Sequence, residues 1–174
     1  MLIKVVRISY YLFFIEGRIY MNGVIQAIQE PETTLTSNTA SVPFQIVDLR
    51  TASAINCRSW MNHNEGSALF SILAGGIYEV TFNANITSAT AGVVGLALFA
   101  DGVQIAGTEM DATIAAAGDY ENIGFDKKIR VCCKGNVNLA VNSVPTVTYD
   151  GTPTETQIPI IKNANINIER LSGN

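Results

Sequence analysis

The stretch Gly75-Gly76-Ile77-Tyr78-Glu79-Val80-Thr81-Phe82-Asn83-Ala84-Asn85-Ile86-Thr87 constrains the fold of this chain most. After the glycine pair, Tyr78, Val80, Phe82, Ala84 and Ile86 alternate with Glu79, Thr81, Asn83, Asn85 and Thr87. Successive side chains of a strand point to opposite faces, so the pattern predicts one buried face and one wet face. On a helix of about 3.6 residues per turn, the same apolar residues would scatter around the cylinder. The rest of the chain must therefore supply a second apolar surface for this face to pack on.

It does so in short runs. In 42–50, Val42, Phe44 and Ile46 alternate as inward positions, and Pro43 suits a strand's start or edge. Residues 68–73 are a short apolar strand stopped by the glycine pair. Residues 93–100 are apolar on both faces, and Ala100-Asp101-Gly102 signals a hairpin returning through 103–107. A weaker strand at 109–114 precedes a long one at 120–133, with a bulge expected at Gly124. Residues 137–144 alternate cleanly. In the last strand Ala164, Ile166 and Ile168 alternate with Asn163, Asn165, Asn167 and Glu169. Such a series, without a helical stretch, predicts an all-β fold of about eight to ten antiparallel strands, a sandwich or a jelly roll. Asparagines on the wet faces are poor strand formers that keep strands soluble without charge.

The amino-terminal part does not match this pattern. Residues 2–20 are apolar with early basic residues, and carry two readings. One is a hydrophobic leader, although the apolar run is shorter than the roughly 20 residues that span a bilayer and no small-residue cleavage site follows. The other is a mis-called start: Glu16-Gly17-Arg18 can be encoded by a purine-rich ribosome-binding sequence ahead of Met21. In residues 21–41, Val24, Ile25, Ala27 and Ile28 could support a short helix or strand ending before Pro31, and the Thr/Ser/Asn-rich run that follows is a polar linker; the segment is expected to be a tether, leaving 42–174 as the jelly-roll domain.

Only 15% of the 174 residues are charged, whereas 48% are hydrophobic. Soluble domains carry about 25% charged residues, so this chain has too few to coat a monomer and is expected to bury surface between subunits. A net charge of -4 argues against nucleic acid as a partner. Cys57, Cys132 and Cys133 form neither a disulfide framework nor a metal spacing. They read as small buried hydrophobes, with pairing of Cys57 to either of the others left open.

Three segments resemble one family. Gly76-Ile77-Tyr78-Glu79-Val80-Thr81-Phe82 is similar to the Gly-x-Tyr-x-Val/Phe-x-Phe/Tyr strand of the tumour-necrosis-factor-like and complement-globular-head jelly rolls. Leu96-Ala97-Leu98-Phe99-Ala100-Asp101-Gly102 resembles the next strand and turn of bacterial and phage members. Residues 163–171 resemble the family's last strand, which lies near the threefold axis. The likeness extends to the tip domain of the exosporium collagen-like glycoprotein, but no Gly-x-y stalk precedes it here. The resemblance implies a homotrimer. Residues expected to fill the core and the subunit interface are Tyr78, Val80, Phe82, Leu96, Leu98, Val137, Leu139, Val141, Ile166 and Ile168.

Reactive chemistry is sparse. The one histidine, His63, forms no triad within a single chain. Asp101, Asp111, Asp119 and Asp126 lack the spacing of a calcium loop, and no metal site is expected. Glu109 and Asp111 share a strand face at a separation that suits a glycosidase pair, yet such pairs are usually solvated. There is no phosphate loop, nucleophile elbow or zinc motif. No enzyme activity and no cofactor are expected. Glycan contact is expected around the polar loop 56–66. There Trp60 and Tyr120 would stack on sugar rings, with Arg58, Asn62, His63 and Asn64 as polar contacts. The competing expectation is that Trp60 packs over one end of the sandwich. Together these features predict a structural or adhesive protein of a virion fibre or bacterial surface, fixed to a larger assembly through 21–41. A secreted lectin-like or ligand-like protein is the alternative.

Overall fold

The computed structural model describes residues 13–15, 18–20, 23–37, 39–51, 60–132, 136–145 and 157–173. The leader and mis-called-start readings of residues 1–20 lie largely outside them. Two short strands, β1 (Phe13–Ile15) and β2 (Arg18–Tyr20), pair only with each other. The domain follows, beginning with β3 (Val24–Gln29), β4 (Thr33–Thr34) and β5 (Ile46–Arg50). Next come β6 (Met61–Asn62), β7 (Phe70–Ile72), β8 (Gly76–Thr87), β9 (Gly92–Ala100) and β10 (Val103–Gln104). The chain closes with β11 (Met110–Ile114), β12 (Glu121–Val131), β13 (Val137–Ser143) and β14 (Ile160–Gly173).

These strands form two antiparallel sheets. The front sheet runs β10-β9-β13-β7-β6, with β11 also on β9. The back sheet runs β12-β8-β14-β3-β5, with β4 on the end of β14. From β7 to β9 and from β11 to β14 the chain repeatedly changes sheets, so strands adjacent in sequence face each other across the core. That winding makes a jelly roll rather than a meander.

The period-two pattern of β8 is realised in full. Tyr78, Val80, Phe82, Ala84 and Ile86 are buried, and they pack with Phe70, Ile72, Leu96, Leu98, Leu139 and Val141 of the front sheet. Ile166 and Ile168 of β14 extend the same layer. Every residue assigned from sequence to core or interface belongs here: nine are fully buried, and Val137 packs against them from the margin. The nine buried residues face the opposite sheet, as inward positions of a sandwich do.

Four expectations change. The described part of 21–41 is not a free tether: β3 is an inner strand between β14 and β5, with Ile25, Ala27 and Gln29 buried. Leu35 is buried as well. The run 42–46 is not one strand. Ser41 bridges to Asn142 in the front sheet, whereas Ile46 begins β5 in the back sheet. Crossing between sheets inverts the phase, so Val42 and Phe44 are buried while Ile46 is exposed. Gly124 makes no bulge, since β12 and β8 keep continuous register from Glu121 opposite Ile86 to Val131 opposite Gly76. Cys132 is exposed and free rather than buried; Cys57 and Cys133 lie outside the described residues. The Asp101-Gly102 turn is as expected, with positive φ at both central residues as a two-residue hairpin requires.

One end of the core is closed by Trp60, which stacks on Tyr78 with ring centroids 5.7 Å apart and donates Nε1–H to the Thr51 carbonyl at 3.0 Å. Gly23 lies directly beneath the indole: a Cβ there would stand 2.2 Å from Nε1. Gly23→Ala is therefore expected to displace the ring and to destabilise the fold by about 1–3 kcal/mol. Denaturant unfolding measures the loss. Trp60 is the one tryptophan, so its emission should move to longer wavelength as it meets water.

Candidate functional site

The six residues expected to contact glycan do not converge. Trp60 and His63 are buried, Asn62 and Asn64 are exposed, and Arg58 lies outside the described residues. Tyr120 belongs to the other end of the sandwich. It precedes Glu121, the partner of Ile86, whereas Trp60 stacks on Tyr78; along β8 those positions are about 27 Å apart at about 3.4 Å per residue. Trp60 seals the core and cannot offer a face to a sugar.

His63 is a core residue with a polar edge. Its ring lies parallel to Phe70 at 4.0 Å between centroids, and Nδ1 is 2.9 Å from the Leu69 carbonyl oxygen. Nε2 is buried without a hydrogen-bond partner. Burial pushes the imidazole below its ordinary value, and the Arg50 charge adds to this. The Leu69 and Phe44 backbone groups and Glu65 pull the other way. The Arg50 guanidinium also donates through Nη2 to the His63 carbonyl.

A different surface brings functional groups together. The outward positions of β12, β8 and β14 stand in register. Asn122 lies opposite Asn85, and Asn85 opposite Asn163; in the next row Gly124 lies opposite Asn83, and Asn83 opposite Asn165. Asn122 Nδ2 donates to Asn85 Oδ1 at 3.1 Å, and Asn85 Nδ2 donates to Asn163 Oδ1 at 2.8 Å. One carboxamide ladder thus crosses three strands. Gly124 leaves room for it, since a Cβ there would stand 2.4 Å from Asn83 Oδ1 and 2.7 Å from the Phe82 carbonyl oxygen. These asparagines, with Ala84 and Ala164 as floor, line a shallow depression of about 130 Å³.

The surroundings of the ladder are graded. In the next row the exposed Asp126 lies opposite Thr81, followed by the neutral Asn167 and Gln26. On the β3–β5 side the outward residues turn apolar: Val24, Ile28, Ile46 and Leu49, of which Ile46 and Leu49 are 43% and 40% exposed. Charges collect at one end, where Lys128 Nζ meets Glu79 Oε1 at 3.4 Å. At the other end Tyr120 donates its hydroxyl to Glu32 Oε2, and Lys162 Nζ lies 4.4 Å over its ring. The hydrogen bond to Glu32 raises the Tyr120 phenol above its ordinary value, with desolvation and the Glu32 charge adding to it.

The sequence showed which asparagines lie on wet faces, but not which strands adjoin. Neighbour order is what turns separate asparagines into a ladder. The Glu109 and Asp111 carboxylates are both exposed on the front-sheet side. Glu109 accepts from Gln104 Nε2 at 2.7 Å, while burial and then the Glu109 charge raise Asp111. Among the described residues no three His, Cys, Asp or Glu side chains are grouped to hold a metal ion.

No protein-family model matches the sequence, and no curated protein matches it. Solved structures do. Murine APRIL at pH 8.0 is similar with a TM-score of 0.54 and 11% identity, covering 86% of this chain and 99% of that one. The globular domain of zebrafish complement 1qA gives 0.52 and 11%, covering 87% and 99%. These likenesses establish the fold, a jelly roll of the tumour-necrosis-factor-like and complement-head type, as the sequence motifs implied.

The buried His63 makes stability depend on pH. Its folded-state value lies below the unfolded one of 6.5, so the unfolded chain binds the extra proton as pH falls. Stability is full above about pH 6.5 and declines below it, through the folded-state value. His63→Phe, which keeps a ring against Phe70, is expected to flatten that decline. Urea midpoints at pH 7.5 and pH 5, roughly either side of the unfolded value, would measure it; equal losses in both proteins would show that other groups are responsible.

Proposed function

We propose that this jelly roll is a non-catalytic binding and assembly module that works as a homotrimer, displayed on a virion or a bacterial surface. The observation that carries this reading is the kind of surface the fold exposes. The back sheet offers a broad face of carboxamide and apolar side chains, with charged groups gathered toward one end, where an enzyme would offer a cleft lined with ionisable groups. The one histidine, the residue most used in general acid–base catalysis, is spent on the core beside Phe70.

Composition supports assembly. With 15% charged residues, the chain is poor in the groups that keep a monomer's surface apart from its neighbours. The resemblance of 76–82, 96–102 and 163–171 to jelly rolls of bacteria and their phages favours display on a virion or cell. Because β3 is built into the back sheet, attachment would use a segment other than this strand. A secreted ligand-like protein is the second reading, favoured by the fold shared with APRIL. Glycan binding at the loop around Trp60 is not part of the proposal, since the indole is buried.

Light scattering on the full chain tests the assembly. A particle of three times 18.7 kDa is expected at micromolar concentration. A folded particle of a single chain mass would overturn the trimeric reading.

A further inference from the structure

We infer that residues 60–66 form an acid-released strap: a second proton on the His63 ring lifts this segment off the side of the sandwich while both sheets stay folded. The device is independent of the trimeric reading, since every contact it uses lies within one chain.

The strap closes the side where the two sheets end. β6 is the last strand of the front sheet and holds to β7 by two residue pairs, Met61 opposite Ile72 and Asn62 opposite Ser71. β5 is the last strand of the back sheet. Hydrogen bonds fasten the strap to β5 and its flanks. The Trp60 indole donates to the Thr51 carbonyl at 3.0 Å, and the Arg50 guanidinium donates to the His63 carbonyl. Val47 N–H donates to Glu65 Oε1 at 3.3 Å, and Gly66 N–H to the Phe44 carbonyl at 2.8 Å. By contrast, β8 is paired along both edges for nearly its whole length. Edge segments held by a few bonds open at far lower free energy than the whole fold.

Of the strap's two ionisable side chains, Glu65 is exposed and His63 is buried. The imidazole lies flat on Phe70 at 4.0 Å and edge-on to Phe44 at 6.4 Å. Its Nδ1 faces the Leu69 carbonyl oxygen, which fixes the proton of the neutral ring there. A second proton must therefore go to Nε2, which is buried without a hydrogen-bond partner. The Phe44 carbonyl is already used by Gly66.

Among the described residues, the charges that face the ring are Arg50 from β5, which opposes a second positive charge, and Glu65 from the strap, which favours it. Leu69, Phe70 and Phe44 offer backbone groups and rings. Burial outweighs the groups that favour protonation and holds the ring below its ordinary value. The charged ring thus has to reach water. Lifting the strap achieves this by breaking the few bonds named above, and leaves β8, β12 and β14 paired. Between the ordinary value of 6.5 and the lower value of the closed form, each unit of falling pH favours the open form roughly tenfold. Opening takes Trp60 off Tyr78 and uncovers Phe44 and Phe70, both fully buried in the closed form.

Trp60 is the one tryptophan and belongs to the strap, so its emission reports the opening directly. The full chain is titrated from about pH 7.5 to about pH 4.5, above the ordinary carboxylate values. Tryptophan emission, acrylamide quenching and far-UV circular dichroism are read at each step. Emission is expected to move to longer wavelength and quenching to rise several-fold, while the dichroism of the sheets is retained. His63→Phe, or His63→Leu should that variant not fold, is expected to keep Trp60 shielded throughout. A wild type whose Trp60 stays shielded to the acid end overturns the strap. Dichroism lost together with the shielding of Trp60 also overturns it, because the fold then responds as one unit. An unchanged transition in the folded His63 variant overturns the assignment of the trigger.

Discussion

The structure depends on the strict alternation of β8. Its inward side chains are the centre of the core, and its backbone is paired along both edges, to β12 and to β14. A strand flanked on both sides has no freedom of register, because a slip of one residue would turn Phe82 to water and Asn83 into the core. The outward residues are thereby placed as firmly as the inward ones. The asparagine ladder inherits its geometry from the phenylalanine beneath it.

How legible this was in the sequence depended on whether a feature was local. Period-two runs identified β8, β13 and β14, and the Asp101-Gly102 turn showed how β9 ends. Sheet changes were not legible. Val42, Phe44 and Ile46 look like one inward series, but the chain leaves the front sheet after Ser41 and enters the back sheet at Ile46. The pattern of β3 leaves helix and strand open for a related reason. Its sequence, Val24-Ile25-Gln26-Ala27-Ile28-Gln29, mixes apolar residues into the outward positions and a glutamine into an inward one. Gln29 is fully buried because its amide donates to the Pro31 carbonyl at 2.7 Å and to Thr33 Oγ1 at 2.5 Å. A locally bonded amide of this kind satisfies part of its polarity inside the fold, and no hydrophobicity pattern reveals it.

The polar loop misled in the opposite direction. Trp60 and His63 sit among asparagines, a glutamate and a glycine, which reads as a wet recognition loop. In the fold, Met61 pairs opposite Ile72 and both rings turn inward, onto Tyr78 and Phe70. Two-residue strands such as β6 are too short to display a period. Only the partner strand shows which of their side chains are buried.

The outward asparagines raise an energetic question that the inward residues do not. Asparagine is disfavoured in strands, on a scale spanning about 1 kcal/mol, and threonine would serve a merely wet face better. Cross-strand pairing offsets part of this, since opposite polar pairs contribute roughly 0.2–1 kcal/mol each. The bonds through Asn122, Asn85 and Asn163 are such pairs. Asn83 and Asn165 stand in register, yet the hydrogen bonds of the ladder run through the neighbouring row. Gly124, another poor strand former, is opposite Asn83, and a side chain at that position would collide with the Asn83 amide. Three unfavourable residues in one row are costly for a surface that only meets water.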